Sequence, residues 1–204
     1  MKWDFLIKDK ESLLVSTDTR NLPAGCVFFA LHGEHFDGNK FAKRKSNVNI
    51  FEIILPCHFG LESVLKREVI DIGYDVTKVE DGRITFLGDE EAVARANIFL
   101  RTAERVLIKI GSFHAESFEE LFQGTKNLPW EEYFPVNAKF WVAKAASVKS
   151  KLFSPSDIQS IMKKAMVERM KQKYRKEWFS EDGAPYPLRI FIYKDEVTVA
   201  MDTS

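Results

Sequence analysis

The order of predicted strands and helices between residues 50 and 110 constrains the fold of this chain more than any other feature. An apolar run typical of a buried strand comes first, and an amphipathic helix follows it. Gly73 is predicted to end this helix. Two short strands around the Asp81-Gly82 turn, a second helix capped by Asp89 and a last strand complete the series. These patterns lie at residues 50–56, 59–72, 76–79, 84–87, 89–103 and 105–110. Strand–helix–strand–strand–helix–strand is the order of a ferredoxin-like domain.

The second half of the chain continues as a mixture of helices and strands. The longest helix starts at Ser154-Pro155, a cap followed by proline at the first helical position, and runs to about Lys176. Shorter patterns predict a helix at 117–123, a strand at 139–145, and a hairpin of strands at 188–193 and 196–201. The sequence therefore predicts an α+β protein.

Charge is concentrated in the stretch from Lys139 to Lys176. This stretch holds eleven basic residues and two acidic ones, Asp157 and Glu168, so its net charge is +9. The whole chain is neutral, with 30 basic and 30 acidic residues. A basic strand and loop followed by a basic amphipathic helix is the pattern expected of a surface that contacts a phosphate backbone. The alternative is an ordinary solvated helix face.

The aromatic residues near this stretch have two interpretations. Trp130, Phe140 and Trp141 would stack on nucleobases or, as is commoner for aromatic residues, pack in a core. Trp178 and Phe179 follow the long helix and are the better stacking candidates.

Other polar residues are predicted to have no role in chemistry. Arg101 and Arg105 are placed at the end of the second helix, where the helix dipole explains them without RNA. The pair Glu131–Glu132 is placed on a surface turn and interpreted as solvated. The four histidines show no spacing typical of a metal site.

Residues 13–42 resemble the N-terminal uridine-diphosphate-binding domain of Mur ligases, in particular of the ligase that adds D-alanyl-D-alanine to the UDP-muramoyl peptide. The resemblance implies that Thr19, Arg20 and Asp37 contact a uridine nucleotide. The alternative function is therefore a fragment of a peptidoglycan-synthesis ligase, although the sequence has no GxxxxGK[ST] loop to hold ATP. The motifs that match this domain are Asp18-Thr19-Arg20, Gly25-x-x-Phe28-x-Ala30-Leu31 and Gly33-x-x-x-Asp37-Gly38.

Residues from about 51 to 204 resemble the N-terminal region of a bacterial RNA methyltransferase family. The matches occur in order along about three quarters of the chain. They are Phe59-Gly60-Leu61-Glu62, Asp81-Gly82-Arg83-Ile84-Thr85-Phe86, the segment 97–106 (NIFLRTAERV), Glu119-Glu120-Leu121-Phe122, Leu128-Pro129-Trp130-Glu131, Ser150-Lys151-Leu152-Phe153-Ser154 and Met201-Asp202-Thr203-Ser204. Members carry a ferredoxin-like domain, a THUMP domain that delivers RNA, and a class I methyltransferase domain.

The resemblance implies binding to RNA, with 23S ribosomal RNA and its guanine N2 atoms as the family's target. Seven lysines are the candidate phosphate contacts: Lys144, Lys149, Lys151, Lys163, Lys164, Lys171 and Lys173. S-adenosylmethionine is the cofactor of the full-length family. This sequence has neither a glycine-rich loop after a strand nor an Asn-Pro-Pro-aromatic tetrapeptide, so we expect no catalytic residues and no methylation by this chain alone.

Four segments follow from these patterns. We predict a Mur-ligase-like α/β fragment at 1–45, a junction at 46–49, a ferredoxin-like domain at 50–112 and a THUMP domain at 113–204. No apolar run reaches the roughly 20 residues of a membrane span, and no secretory signal is present, so we expect a cytoplasmic protein without membrane contact.

Overall fold

The computed structural model describes residues 49–204, together with the backbone of four two-residue strands before them. Of those four, β1 (Val15–Ser16) pairs in parallel with β2 (Val27–Phe28), and β3 (His32–Gly33) pairs antiparallel with β4 (Phe36–Asp37). Residues 49–204 form one compact unit.

Seven strands and five helices make up residues 49–204. The strands are β5 (Phe51–Pro56), β6 (Val76–Glu80), β7 (Arg83–Gly88), β8 (Leu107–His114), β9 (Lys139–Val148), β10 (Pro185–Tyr193) and β11 (Glu196–Asp202). The helices are α1 (Glu62–Asp71), α2 (Glu90–Phe99), α3 (Phe118–Asn127), α4 (Trp130–Tyr133) and α5 (Pro155–Tyr174). The seven strands form a single sheet in the order β6-β7-β5-β8-β11-β10-β9.

The first four of these strands have the ferredoxin-like arrangement that the sequence predicts. They lie in the order β6-β7-β5-β8 with every neighbouring pair antiparallel, and α1 and α2 connect them. Alternate strand residues such as Ile53 and Phe86 pack against helix residues such as Leu65 and Ala96. This α+β core is buried, which confirms the buried strand predicted at 50–56 and the amphipathic helix predicted at 59–72.

The ends of α1 and α2 show where capping was predictable and where it was not. Asp89 accepts a hydrogen bond from the Ala92 amide, and Gly73 takes a φ of +95° just after α1, as the sequence predicts. However, α2 ends at Phe99 because Leu100 is extended, with φ −72° and ψ 137°. The placement of Arg101 and Arg105 at that helix end is therefore wrong.

Strand β8 joins the two halves of the sheet. Its Leu107 and Ile108 pair with β5, while residues along its whole length pair with β11. The boundary predicted between residues 112 and 113 falls inside this strand. The two halves thus share one continuous sheet.

The second half contains the only parallel pair among the seven strands. β9 and β10 run parallel, and α5 is the crossover that connects them. The stripe of α5 that includes Ile158, Met162 and Met166 is completely buried, as the helical spacing predicts.

Trp130 and Phe140 belong to this second core. Both are buried, their rings flank Phe134 at centroid distances of 5.6 and 5.5 Å, and the Trp130 indole donates to the Thr125 carbonyl at 2.7 Å. The stacking interpretation of these two residues is wrong and the packing one is confirmed, since a buried ring has no face free for a base.

Candidate nucleic-acid interface

The crossover from β9 to α5 places a basic loop at one end of the sheet. Residues 149–154 form this loop, which we call the 149–154 loop, and it leads directly into the N-terminus of α5. The turn between β10 and β11 holds it in place. The Lys151 amide donates to Asp195 Oδ1 at 2.7 Å, and the Asp195 amide donates to Ser150 Oγ at 3.0 Å. The loop is therefore held through the Lys151 amide and the Ser150 hydroxyl, while the side chains of Lys149 and Phe153 stay exposed.

Two of the seven candidate lysines are exposed and make no hydrogen bond, ion pair or cation–π contact with residues 49–204. Lys144 lies on β9 opposite Arg189, and Lys149 opens the 149–154 loop with a φ of 53°. A solvated ammonium without a protein partner gives up little when it meets a phosphate. Lys144 and Lys149 are thus the cations best placed for an anionic ligand.

Lys151 belongs to a cluster of alternating charges. Its ammonium pairs with Glu116, and Glu116 also lies 3.6 Å from His114 Nε2. His114 Nδ1 in turn lies 3.2 Å from Glu196. The Lys151 ammonium lowers the pKa of Glu116, and the Glu116 carboxylate raises the pKa of Lys151. A phosphate would have to compete with Glu116 for Lys151.

The four candidate lysines of α5 all have protein partners. Lys163 donates to the Phe140 carbonyl at 2.6 Å and to Glu181 at 2.7 Å, which covers the outer edge of β9. Lys164 lies 5.9 Å from the centre of the Phe122 ring. Lys171 and Lys173 lie 3.5 Å from Glu177 and 3.3 Å from Glu131 respectively. Much of the basic charge of α5 therefore contributes to folding of the chain.

Glu131 is the residue for which the sequence interpretation fails most clearly. Its carboxylate accepts two hydrogen bonds from the Arg169 guanidinium, at 2.6 and 3.1 Å, and its side chain is only 11% exposed. The Arg169 hydrogen bonds, with help from Lys173, lower the pKa of Glu131 to about 2. The prediction that this carboxylate is solvated is wrong, because α5 brings a guanidinium to it from 38 residues away.

Exposed aromatic side chains accompany the exposed cations. Phe153, in the 149–154 loop, is 81% exposed, and Trp178, beyond α5, is 75% exposed. Trp141 is partly exposed on β9, whereas Phe179 is half-buried against the core. The sequence analysis did not identify Phe153 as an RNA contact, although this residue lies within one of the motifs that resemble the methyltransferase family.

The other candidate residues named from the sequence lie elsewhere. Thr19 and Arg20 fall outside the described residues, and Asp37 lies in β4, of which only the backbone is described. Within residues 49–204, no three His, Cys, Asp or Glu side chains are arranged to hold a metal ion. In the same residues no helix is both long enough and apolar enough to cross a membrane.

Two family models match the described part of the chain. The RlmL ferredoxin-like domain matches residues 52–107, and the THUMP domain matches residues 115–202. Neither match includes residues 13–42, so the Mur-ligase resemblance gains no support from them.

Proteins named as methyltransferases are similar to the same region. YpsC of Bacillus subtilis, which is named as an RNA methyltransferase, is 42% identical over 156 residues, covering 76% of this chain and 40% of YpsC. The ribosomal RNA large subunit methyltransferase K/L of Marinomonas is 29% identical over 84 residues, covering 41% of this chain and 12% of that protein. The chain thus spans less than half the length of these relatives.

Solved structures show the same fold. A methylase from Clostridium difficile 630 superimposes with a TM-score of 0.75 at 47% identity, covering 76% of this chain and 42% of that one. SMU.472, named as a methyltransferase and solved with SAH, gives 0.73 at 39% identity, covering 76% and 42% respectively. Residues 49–204 therefore consist of a ferredoxin-like domain, similar to that of RlmL, followed by a THUMP domain, built on one continuous sheet.

Proposed function

We propose that residues 49–204 are the RNA-binding region of an RNA methyltransferase and that their substrate is structured large-subunit ribosomal RNA. The observation that carries this proposal is that two exposed candidate lysines on a matched THUMP domain, Lys144 and Lys149, make no hydrogen bond, ion pair or cation–π contact with the described residues. The names of the relatives support the choice of RNA over other polyanions. We further propose domain limits of 50–112 and 113–204 and a cytoplasmic location.

The 149–154 loop, together with strand β9 before it and helix α5 after it, combines three features that suit RNA. Lys144 and Lys149 supply point charges for phosphates, and the N-terminus of α5 adds a partial positive charge that Asp157, in its first turn, partly offsets. Phe153 offers a ring face to an unstacked base. Such contacts read backbone geometry and carry little sequence information. The other five candidate lysines contribute mainly to the positive electrostatic field around this surface. They are Lys151, Lys163, Lys164, Lys171 and Lys173.

Methyl transfer is assigned to a part of the full-length protein other than residues 49–204. The crossover β9–α5–β10 is the parallel strand–helix–strand unit among these residues, and its 149–154 loop contains no glycine. A glycine-rich turn is what lets a backbone approach a nucleotide cofactor closely at such a unit. The described residues therefore do not fit S-adenosylmethionine, and we place no catalytic residue among them.

The salt dependence of RNA binding tests the proposed function. The full chain should bind a structured fragment of large-subunit ribosomal RNA, and its affinity should fall steeply between 50 and 200 mM salt, about ten-fold or more for three or more phosphate contacts. Fluorescence anisotropy with end-labelled RNA measures this. A folded chain that fails to bind at the lower salt concentration would contradict the proposal, as would binding that does not change with salt.

A further inference from the structure

Two of the motifs that resemble the methyltransferase family lie outside the surface proposed above. They are Phe59-Gly60-Leu61-Glu62 and Asp81-Gly82-Arg83. The structure shows that they form one clamp. Glu62 accepts hydrogen bonds from the amides of Gly60 and Gly82, both at 2.8 Å. The Cys57 amide also donates to the Gly82 carbonyl at 2.9 Å. These hydrogen bonds and the sharp turns at Gly60 (φ +90°) and Gly82 (φ +72°) fix the two loops against each other.

The clamp holds the ring of Phe59 in place while leaving it in water. Phe59 packs so closely over Gly82 that a Cβ there would lie 3.2 Å from the ring atom Cε1. The side chain is nevertheless 82% exposed. An apolar ring that is fixed on one side and bare on the other gains from stacking with a second flat apolar group. Core packing does not explain this position, because the ring is not in the core.

Phe59 lies at the rim of a cleft of about 870 Å³ that both domains line. Phe59, Gly82 and Glu104 come from the ferredoxin-like side, and Val148, Lys149 and Tyr193 come from the THUMP side. Lys149 is one of the two candidate lysines without a hydrogen bond, ion pair or cation–π contact in the described residues. The cleft is therefore continuous with the surface proposed to bind RNA phosphates.

The chemistry of the cleft suits a nucleotide with an unpaired base. Tyr193 is 46% exposed and offers a second ring, and Lys149 offers a cation for the adjoining phosphate. Of the acidic residues in the lining, Glu80 is neutralised by Lys78 and Arg83, each at 3.0 Å. Glu104, with His58 at 3.6 Å, and Asp81 provide carboxylates able to accept from base amino groups.

We propose that this cleft binds one unpaired nucleotide of the RNA, with its base stacked on Phe59 and its phosphate on Lys149. A paired base keeps both faces in its helical stack, so the occupant is a single-stranded end, loop or flipped nucleotide. This inference rests on the proposed function and extends the RNA surface from the THUMP domain onto the ferredoxin-like domain.

The test compares two RNA hairpins that differ in a single-stranded tail. The full chain should bind a tailed hairpin roughly ten-fold more tightly than the blunt one, as expected for stacking of a base on an aromatic ring. F59A should lose this difference without changing the affinity for the blunt hairpin, and F59W should retain it. A 2-aminopurine base in the tail should be quenched on binding to the wild type and remain bright with F59A.

The control is F99A, which removes another exposed ring, 57% exposed, at the end of α2 and outside the cleft lining. It should behave as the wild type does. Equal affinity of the wild type for the tailed and blunt hairpins would overturn the proposal, and so would an unchanged tail advantage in F59A. Failure of the wild type to bind either hairpin would instead overturn the proposed function on which the inference rests. If the wild type bound apolar peptides and showed no preference for the tailed hairpin, the cleft would be a site for a protein partner and the nucleotide proposal would be wrong.

Discussion

Replacing Lys144 and Lys149 together by glutamate is expected to weaken RNA binding by roughly 150-fold or more at low salt. Each change removes a charge-assisted phosphate contact and introduces a repulsive carboxylate, and hydrogen bonds to charged groups contribute about 1.5 kcal/mol or more each. The slope of log affinity against log salt should also become shallower by about two, one for each phosphate that the protein no longer neutralises. Both side chains are exposed and make no ion pair with residues 49–204, so folding should be unaffected.

The matched control for this experiment is the double variant Lys66→Glu and Arg67→Glu. These two residues are exposed on α1, carry no ion pair with the described residues, and change the net charge by the same amount. Their replacement should weaken binding only slightly, through the overall field. Anisotropy titration of both double variants, with circular dichroism to confirm folding, measures the difference. Equal losses of affinity in the two double variants would mean that net charge, and not the positions of Lys144 and Lys149, determines binding.

Replacing Glu131 by glutamine is expected to destabilise the chain by about 2–3 kcal/mol at pH 7. The change removes the carboxylate that pairs with Arg169 and Lys173 and leaves the half-buried guanidinium without its anion. It also weakens the link between α4 and α5, because Glu131 lies in the first turn of α4 and Arg169 lies on α5. Urea denaturation measures this loss, with E132Q as the control. Glu132 is exposed and carries no ion pair with the described residues, so E132Q should change the free energy of unfolding by less than about 0.5 kcal/mol.

The same pair predicts a pH dependence of stability. The pKa of Glu131 falls to about 2 in the folded chain, against an ordinary value of 4.5. A lowered folded pKa means that the unfolded chain binds the proton more tightly, so the stabilisation is complete above pH 4.5 and is lost as the pH falls towards 2. The difference in unfolding free energy between the wild type and E131Q should therefore shrink by about half between pH 7 and about pH 3. A difference that stays constant with pH would show that the carboxylate charge is not its source.

The ferredoxin-like half was largely predictable because its signals are local. The cap at Asp89, the C-terminal glycine Gly73 and the Asp81-Gly82 turn each act within a few residues, and all three occur where the sequence places them. The buried stripe of α5 was predictable for the same reason. The end of α2 was not, since nothing in its pattern required Leu100 to become extended.

The candidate site was less predictable because it depends on contacts between distant residues. A run of lysines does not reveal that Lys163 covers the edge of β9 or that Lys151 meets Glu116, 35 residues before it. Nor does it reveal that Glu131 pairs with Arg169. The sequence indicated the region of charge correctly, but only the fold shows that Lys144 and Lys149 are the candidates with no hydrogen bond, ion pair or cation–π contact among residues 49–204. The ring of Phe59 likewise becomes a candidate only once Glu62 is seen to join two loops.

Lysine reactivity in the presence and absence of RNA tests the central claim most directly. The full chain is acetylated briefly with and without a saturating fragment of large-subunit ribosomal RNA, and each lysine is quantified by mass spectrometry. We expect Lys144 and Lys149 to be protected several-fold by RNA, while Lys66 on α1 reacts equally in both samples. Unchanged reactivity of Lys144 and Lys149 with RNA bound, or protection confined to Lys171 and Lys173 of α5, would contradict the account.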